Sequence, residues 1–433
     1  MYNLKLTTML LMIMSINTYA QGLLNSECNT TNEEIINEEI INAPVKIRSV
    51  RSMLSAYDPV EHTKGQLRAG YIDLAEDGIT HASAYALSGH LHLYSKRWYG
   101  FMVGAEAYTV LNSNITQSSH TLNGDFFDDE GKSFLLISQA YLDGKWGNTE
   151  IKLGRQSLDT PHADSDDIRM MPNYFEAYTL TTKEFDNLTL TAGFIDKMAG
   201  WENAVNSANF IDVGETLGAG QRIDGIYYAS ASYEGIKNLS LSLWYYHYSD
   251  IANVLYAEMG YTQKISTHTN LTLGLQYDGS RESGKALLGQ HDAQTYGISA
   301  EANFEDIGVT IFTAYNQDNG DTGAMGLSLG GGTFFTSMED QTLDALGTAG
   351  SAWVIGAGYC FEKVGIEGLT FGIAYGNFEA DNASLYHASE IDAILEYQWN
   401  EKISATAAYS SIENKVAHFQ DYAQLRILAN YNF

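Results

Sequence analysis

Four charged residues within one short segment are the side chains best suited to act on a passing solute. Asp164, Asp166 and Asp167 precede Arg169. Carboxylates that face a guanidinium across a narrow opening set up a transverse field, which orders water and favours small ions or zwitterions over neutral lipophilic molecules. Alternatively, these groups form salt bridges among themselves and only fix a loop. The two roles are compatible.

Stretches of alternating polar and apolar residues flank this segment and continue along most of the chain. A two-residue period is typical of β-strands with one apolar face. The last stretch is the clearest, since apolar residues occupy every second position from Ala423 to Phe433. Leu428 is the one apolar residue on the opposite, otherwise polar face. We count about 18 such segments, an even number within the range of outer-membrane barrels. The predicted spans are 64–76, 83–96, 98–112, 132–146, 148–158, 173–183, 187–197, 223–234, 238–249, 252–263, 268–279, 293–304, 307–317, 352–362, 368–379, 388–399, 401–412 and 420–433.

The N-terminus predicts export. Lys5 precedes an apolar run at 9–16, and the small residue Ala20 offers a cleavage point. That run is too short to cross a bilayer as a helix, and no later run is longer. Strands can cross lipid only as a closed barrel, because lipid cannot satisfy unpaired backbone groups. We therefore predict an all-β fold, a transmembrane antiparallel up-and-down barrel. The predicted divisions are 1–20 as signal peptide, 21–62 as periplasmic arm and 63–433 as barrel.

The connections between the predicted strands alternate in length. Short ones, such as Gly147 and Asn400, are typical of periplasmic turns, and long ones are typical of external loops. Phe433 ends an alternating strand and resembles the C-terminal signal by which barrels are recognised for assembly. We therefore predict a bacterial outer-membrane protein that contacts lipid, lipopolysaccharide and the barrel-assembly machinery. The long connections are 113–131, 159–172, 198–222, 280–292 and 318–351.

Side-chain alternation also predicts which charges face the lumen. Arg68 and Arg426 lie on the first and last strands, which are neighbours in a closed barrel, and they predict a short basic patch. The formal net charge of −29 attracts cations and argues against a nucleic-acid partner. Alternatively, acidic loops only solvate the outer face or bind divalent ions. The acids with lumen parity are Glu106, Glu176, Glu258, Glu301, Asp392 and Glu396.

One segment carries a more specific pattern. Gly154-Arg155-Gln156 ends a predicted strand, Thr160-Pro161 follows, and the acidic residues lead through Arg169 to Pro172. This order resembles the OprD family of outer-membrane porins. The resemblance implies a barrel of about 18 strands, and it implies that the third external loop, about 159–172, folds inward and narrows the pore.

The same resemblance implies a class of solute. The family is described as carrying small carboxylate-bearing or basic nutrients past a ladder of basic residues that faces an acidic side. Arg155 and Arg169 match the motif positions, but Ala177 stands where the family commonly has glycine. The chain has only 24 lysines and arginines, too few for a long basic ladder. We therefore expect cations or zwitterions to be favoured.

Other side chains could bind a metal or form a crosslink. His90 and His92 share one strand face, and a polar lumen wall is the alternative to a metal site there. The acids of the 318–351 connection could hold a divalent cation, and the alternative is a solvated loop. Cys28 and Cys360 could form a disulfide in the oxidising periplasm. The acids of that connection are Asp318, Asp321, Glu339, Asp340 and Asp344.

The sequence has no nucleophile elbow, phosphate loop or zinc signature, so we predict that the protein is not an enzyme and needs no cofactor. We expect a porin for passive diffusion of small hydrophilic solutes, as a monomer or trimer. The alternative is a surface adhesin, or a structural barrel plugged by residues 21–62. An enzymatic site at the rim would need loop histidines, which we expect to be solvated. Those histidines are His62, His81, His120, His162 and His418.

Overall fold

The protein's computed structural model describes residues 60–433 apart from a few loop positions. The positions left out are 79–80, 116–119, 204–206, 321–322, 324–325 and 418. The predicted signal peptide, most of the predicted arm, and Cys28 lie outside the described residues. The first strand begins at Val60, so the barrel starts three residues earlier than the predicted boundary at 63.

Eighteen long antiparallel strands form one closed barrel. Each strand pairs with its neighbours in sequence, and the first pairs with the last from Gln66 opposite Asn432 to Glu76 opposite Tyr422. The predicted strand spans are confirmed, and no predicted end differs from the observed one by more than four residues. The strands are β1 Val60–Glu76, β2 Ala82–Ser95, β3 Phe101–Asn112, β4 Phe134–Trp146, β5 Thr149–Gln156, β6 Tyr174–Phe185, β7 Leu188–Ala199, β8 Ile226–Ile236, β9 Leu239–Tyr248, β10 Ala252–Ser266, β11 Thr269–Glu282, β12 Asp292–Phe304, β13 Val309–Asp318, β14 Gly350–Cys360, β15 Leu369–Ala380, β16 His387–Asn400, β17 Ile403–Asn414 and β18 Tyr422–Asn432.

Short elements lie within the connections. Connections of two residues join several strands on the periplasmic side, where Gly147, Asn187 and Asn238 adopt positive φ. Glycine and asparagine tolerate that conformation, which tight hairpins require. The short elements are strands Thr121–Leu122, Asp159–Thr160, Ala163–Asp164 and Ile211–Asp212, the helix Val213–Thr216, and the 3₁₀ turns Leu343–Leu346 and Phe361–Val364.

The two faces of the wall differ in the way that lipid requires. On β9, Leu243 and Tyr245 are half exposed on the outer face, whereas Tyr246 and Tyr248 are fully buried inside. A continuous apolar outer face is stable only in an apolar solvent, and polar groups therefore collect in the interior. Among the described residues, no helix is long and apolar enough to cross a membrane.

The interior is occupied by long external loops. We define loop 2 as residues 113–133, loop 3 as 157–173, loop 4 as 200–225 and loop 7 as 319–349. Their apolar side chains pack against the lumen wall in three separate clusters. The expectation of a solvated loop 7 is wrong, because its apolar residues are needed to cover the wall. Its buried side chains include Leu327, Leu329, Phe334, Phe335, Met338 and Leu343.

We predict that a charge on the outer face of β9 destabilises the barrel far more than the same charge on its inner face. Leu243→Arg places a guanidinium in the middle of the lipid-facing surface and should lower the free energy of unfolding by about 2–4 kcal/mol. Ser242→Arg, its neighbour on the lumen side and opposite Glu258, is the matched control. Denaturant unfolding in lipid vesicles measures both variants. Equal losses would contradict the assignment of faces.

Candidate functional site: the loop layer inside the barrel

Loop 3 is held inside the barrel by backbone hydrogen bonds to loop 7. Leu329 N donates to His162 O at 2.9 Å, and Asp164 N donates to Leu329 O at 3.2 Å. The Thr333 hydroxyl donates to Pro161 O at 3.0 Å. The two loops therefore form one continuous layer across the lumen.

The tip of loop 3 reaches the barrel wall. His162 Nε2 lies 2.5 Å from Asp278 Oδ2 on β11, and both side chains are buried. This contact spans the interior, because loop 3 starts from β5. The prediction of a solvated His162 is wrong, because its side chain is buried against Asp278. No local sequence pattern reveals that distant partner.

Arg68 anchors the other end of loop 3 to β1. Its guanidinium donates to both carboxylate oxygens of Asp167, at 2.6 and 2.7 Å, and to the carbonyl of Arg169 at 2.6 Å. Its Nε donates to Asn430 at 2.7 Å. A guanidinium with five fixed N–H donors suits such a junction between strand and loop. The predicted salt bridge within the loop is thus a bridge from the wall to the loop.

Arg426, on β18 and opposite Ile72 of β1, binds a second loop. Its guanidinium lies 2.6 Å from Glu339 of loop 7, and both side chains are buried. The next backbone N–H groups of loop 7 donate to carboxylates of β16. Asp340 N and Gln341 N lie 3.0 and 2.8 Å from the two oxygens of Glu390. Wall charges therefore position both loops.

Arg169 differs from the other two arginines. Among the described residues, no carboxylate lies within ion-pair distance of it. Its guanidinium lies 4.8 Å from the centre of the Trp201 ring, and Trp201 donates to Asp166 O at 3.1 Å. Burial and then Arg426 lower the pKa of Arg169 to about 10, so it stays charged at neutral pH.

Loop carboxylates near Arg169 are perturbed in the opposite sense. Burial raises the pKa of Asp164 and of Asp166 to about 7, with neighbouring acids adding to the effect. Burial and Asp166 raise the pKa of Glu202 to about 8. Glu202 also accepts from Asn173 at 3.0 Å. These groups change charge close to neutral pH. Sequence analysis missed Trp201 and Glu202, because nothing in the sequence links loop 4 to loop 3.

Three predicted acids face the lumen on other strands. Glu106 accepts from Ser138 at 2.8 Å and lies 3.4 Å from His92. Glu258 accepts from the hydroxyl of Tyr256. Glu396 has the same parity as the buried Ile394 and Asp392 on β16. They extend the acidic wall beyond the layer formed by loops 3 and 7.

Arg155 and Glu176 lie on the outer face of the barrel, and their predicted place along the pore is therefore wrong. Arg155 pairs in register with Glu176, and its other neighbour is Ala140, whose side chain is exposed on the outer face. Arg155 shares the outer face with the exposed Leu153, and its Nε lies 3.5 Å from Glu176. No bulge shifts the pairing of β5 with β6, so both residues lie outside, at the rim.

The other sequence candidates are placed as follows. His92 stacks on Tyr94 and bonds to its hydroxyl at 2.9 Å, so the predicted pair with His90 is part of a polar wall. The described acids of loop 7 form no convergent metal-binding group. Cys360 is disulfide-bonded, and its pairing with Cys28 stays a prediction, because Cys28 lies outside the described residues.

The match to a known protein family agrees with the barrel geometry. A family model described as "outer membrane porin, OprD family" matches residues 104–427. The chain belongs to the OprD family. No curated protein sequence matches significantly. This OprD-family chain is therefore an outer-membrane channel through which small solutes diffuse, and the predicted resemblance and location are confirmed.

Solved structures show that the fold is shared. Pseudomonas aeruginosa OpdK with vanillate is 21% identical, with a TM-score of 0.72 over 86% of this chain and 98% of that one. Pseudomonas aeruginosa OccK9 (OpdG) is 20% identical, with a TM-score of 0.74 over 86% of this chain and 97% of that one. Acinetobacter baumannii OccAB2 is 19% identical, with a TM-score of 0.73 over 87% of this chain and 99% of that one. At these identities, the likeness to solved structures shows only that the fold is shared.

We predict that Arg68→Ala loosens loop 3. Losing the charged hydrogen bonds to Asp167 should lower the free energy of local opening by about 2–3 kcal/mol. Hydrogen exchange of peptides from 157–173, followed by mass spectrometry, measures the change. Arg281→Ala, which breaks the exposed pair with Asp292, is the control and should leave exchange unchanged. Unchanged exchange in Arg68→Ala would contradict the anchoring role.

Proposed function

We propose that this porin favours small cations and zwitterions, and that loop 3 together with loop 7 forms its constriction. The observation that carries the proposal is the pairing of its arginines. Arg68 and Arg426 are each bound to a loop carboxylate, and further carboxylates remain around them. Paired arginines offer little attraction to a free anion, whereas the surplus acids attract cations.

Arg169 supports the zwitterion part of the proposal. Its charge lacks a carboxylate partner within ion-pair distance among the described residues, and Asp166 precedes it on the same loop. A solute with one carboxylate and one ammonium group can place its carboxylate toward Arg169 and its ammonium toward the acids. A simple dicarboxylate would meet the same acids with unfavourable charge.

This proposal differs from what one related structure suggests. That structure holds OpdK with vanillate. Free arginines would favour a carboxylate solute of that kind, because guanidinium groups form charge-assisted hydrogen bonds with carboxylates. In this chain two of the three constriction arginines are engaged, and we infer a different preference. We also infer that the channel is passive and does no catalysis.

A plugged barrel is the second candidate. Loops 3 and 7 pack together inside the lumen, and their clusters bury many apolar side chains. A plugged barrel would expose its function at the external loops, as an adhesin does. Single-channel recording of the refolded chain in a planar bilayer separates the two. Steady conductance supports the porin, and a folded barrel with no conductance contradicts it.

We predict that Arg169→Ala slows zwitterions selectively. Vesicle swelling should slow several-fold for alanine but not for ethylammonium, which lacks the carboxylate that Arg169 would attract. Arg281→Ala, at an exposed pair outside the constriction, is the control variant. Equal slowing of both solutes would show that Arg169 only shapes the opening.

We predict that cation selectivity rises with pH. Asp164 and Asp166 have pKa values raised to about 7, and Glu202 to about 8, so they are neutral below these values and charged above them. The reversal potential under a potassium chloride gradient should therefore shift toward cation selectivity between pH 5.5 and pH 8.5, values chosen to bracket these pKa values.

The matched variants are Asp166→Asn and Glu362→Gln. The first removes one titrating group from the constriction and should reduce the pH-dependent shift. The second removes an acid from an exposed periplasmic turn and should leave it unchanged. A reversal potential that does not change with pH would count against the role of these loop acids.

A further inference from the structure

A group of two histidines and one carboxylate lies at the external rim, outside the constriction. Its members are Asp73, His81 and His120, and their ligand atoms all lie within 4.8 Å of one another. Asp73 is on β1, His81 directly precedes β2, and His120 directly precedes the short strand Thr121–Leu122. Asp73 and His81 flank the hairpin between β1 and β2, and the fold brings the more distant His120 beside them.

The distances suit a small metal ion. His120 Nδ1 lies 3.1 Å from Asp73 Oδ1, and His81 Nδ1 lies 3.8 Å from Asp73 Oδ2. Ligand atoms at about 2.0–2.1 Å from a tetrahedral ion are about 3.3 Å from each other. The observed separations lie on either side of that value, so slight side-chain rotation would complete the set.

Two of these atoms lack the partners that buried polar atoms normally have. Asp73 Oδ1 and His120 Nδ1 are buried and accept or donate no hydrogen bond within the described part of the chain. Although 3.1 Å apart, they are not aligned as a hydrogen bond. Buried polar atoms are nearly always satisfied, so two that converge without a bond indicate a missing partner.

The backbone next to each ligand is fixed by the sheet. Asp73 pairs in register with Ser83 of β2. Thr121 N donates to His81 O at 2.9 Å, and Asn123 N donates to Ser83 O at 3.2 Å. The strand Thr121–Leu122 thereby extends the wall beside β2. Ligands mounted on paired strands are held more firmly than ligands on free loops.

We propose that Asp73, His81 and His120 form a binding site for a divalent transition metal ion, with zinc as the best match. Two imidazoles and one carboxylate are a donor set for zinc, copper, nickel or iron rather than for calcium or magnesium, which prefer oxygen ligands. His81 is half exposed, so water can fill the remaining position. The ion would join the first external loop to loop 2.

Such an ion would also act on the interior. Loop 2 continues from His120 to Phe126 and Phe127, which are buried against Met170 and Met171 of loop 3. Ser207 of loop 4 donates to Phe127 O at 2.6 Å. A metal that fixes the start of loop 2 therefore restrains side chains that pack on the constriction loop.

Zinc titration of the full, untagged chain in detergent micelles tests the proposal. Calorimetry should show a single zinc site with a dissociation constant in the micromolar range or below. Millimolar calcium should not displace the zinc. Asp73→Asn, His81→Gln and His120→Gln should each weaken binding by more than about tenfold. His268→Gln is the matched control, because His268 lies 3.0 Å from Asp306 but forms a pair without a third ligand.

Cobalt spectra provide a readout that needs no variant. A four-coordinate site with nitrogen and oxygen ligands gives intense visible absorption, which zinc should abolish by displacement. No micromolar zinc site, a site that survives all three substitutions, or a site that His268→Gln also removes would overturn the proposal. A weakly coloured six-coordinate cobalt spectrum would overturn the tetrahedral arrangement.

Discussion

The structure depends on one constraint, that every backbone N–H and C=O group within lipid must be paired inside the protein. A closed ring of strands satisfies that constraint without an edge, and pairing of β1 with β18 completes the ring. Closure with many strands leaves an interior too wide for wall side chains alone to fill. The long external loops enter that interior, and the wall must supply groups that bind them.

Charged wall residues serve as those binding groups. Arg68 and Arg426 bind loop 3 and loop 7, and Glu390 accepts two backbone N–H groups of loop 7. A charge buried beside a loop is stable only when it is paired, so the loop positions and the wall charges depend on each other. The same pairing engages Arg68 and Arg426 and leaves Arg169 without a carboxylate partner within ion-pair distance among the described residues.

The sequence predicted the parts of the molecule that follow a two-residue period. The predicted strand spans were confirmed, because each strand faces lipid on one side and the polar interior on the other. The alternation from Ala423 to Phe433 reflects these two environments. Lumen parity was right for Arg68 and Arg426. It was wrong for Glu176, which shares the outer face with Tyr178. The placement of Arg155 in the pore rested on the motif resemblance, whereas its parity with Leu153 indicates the outer face that the structure shows.

The contacts made by loops could not be predicted in the same way. Nothing local to His162 indicates Asp278, and nothing local to Arg169 indicates Trp201. Loops have no periodicity, and their partners are determined by where the closed wall places distant strands. The charged segment at 164–169 was identifiable from residue type alone, but its partners on β1 required the fold.

The external rim and loop 3 are connected by continuous packing. Asn123 N donates to Ser83 O near the start of β2, and Phe126 and Met170 both lie beside Gly70 of β1. A Cβ atom at Gly70 would collide with Met170. Glycine at this wall position therefore leaves the space that loops 2 and 3 occupy. Loop 2 therefore transmits any restraint at the rim to the residues next to Arg169, and the permeability of the channel should depend on groups that no solute touches.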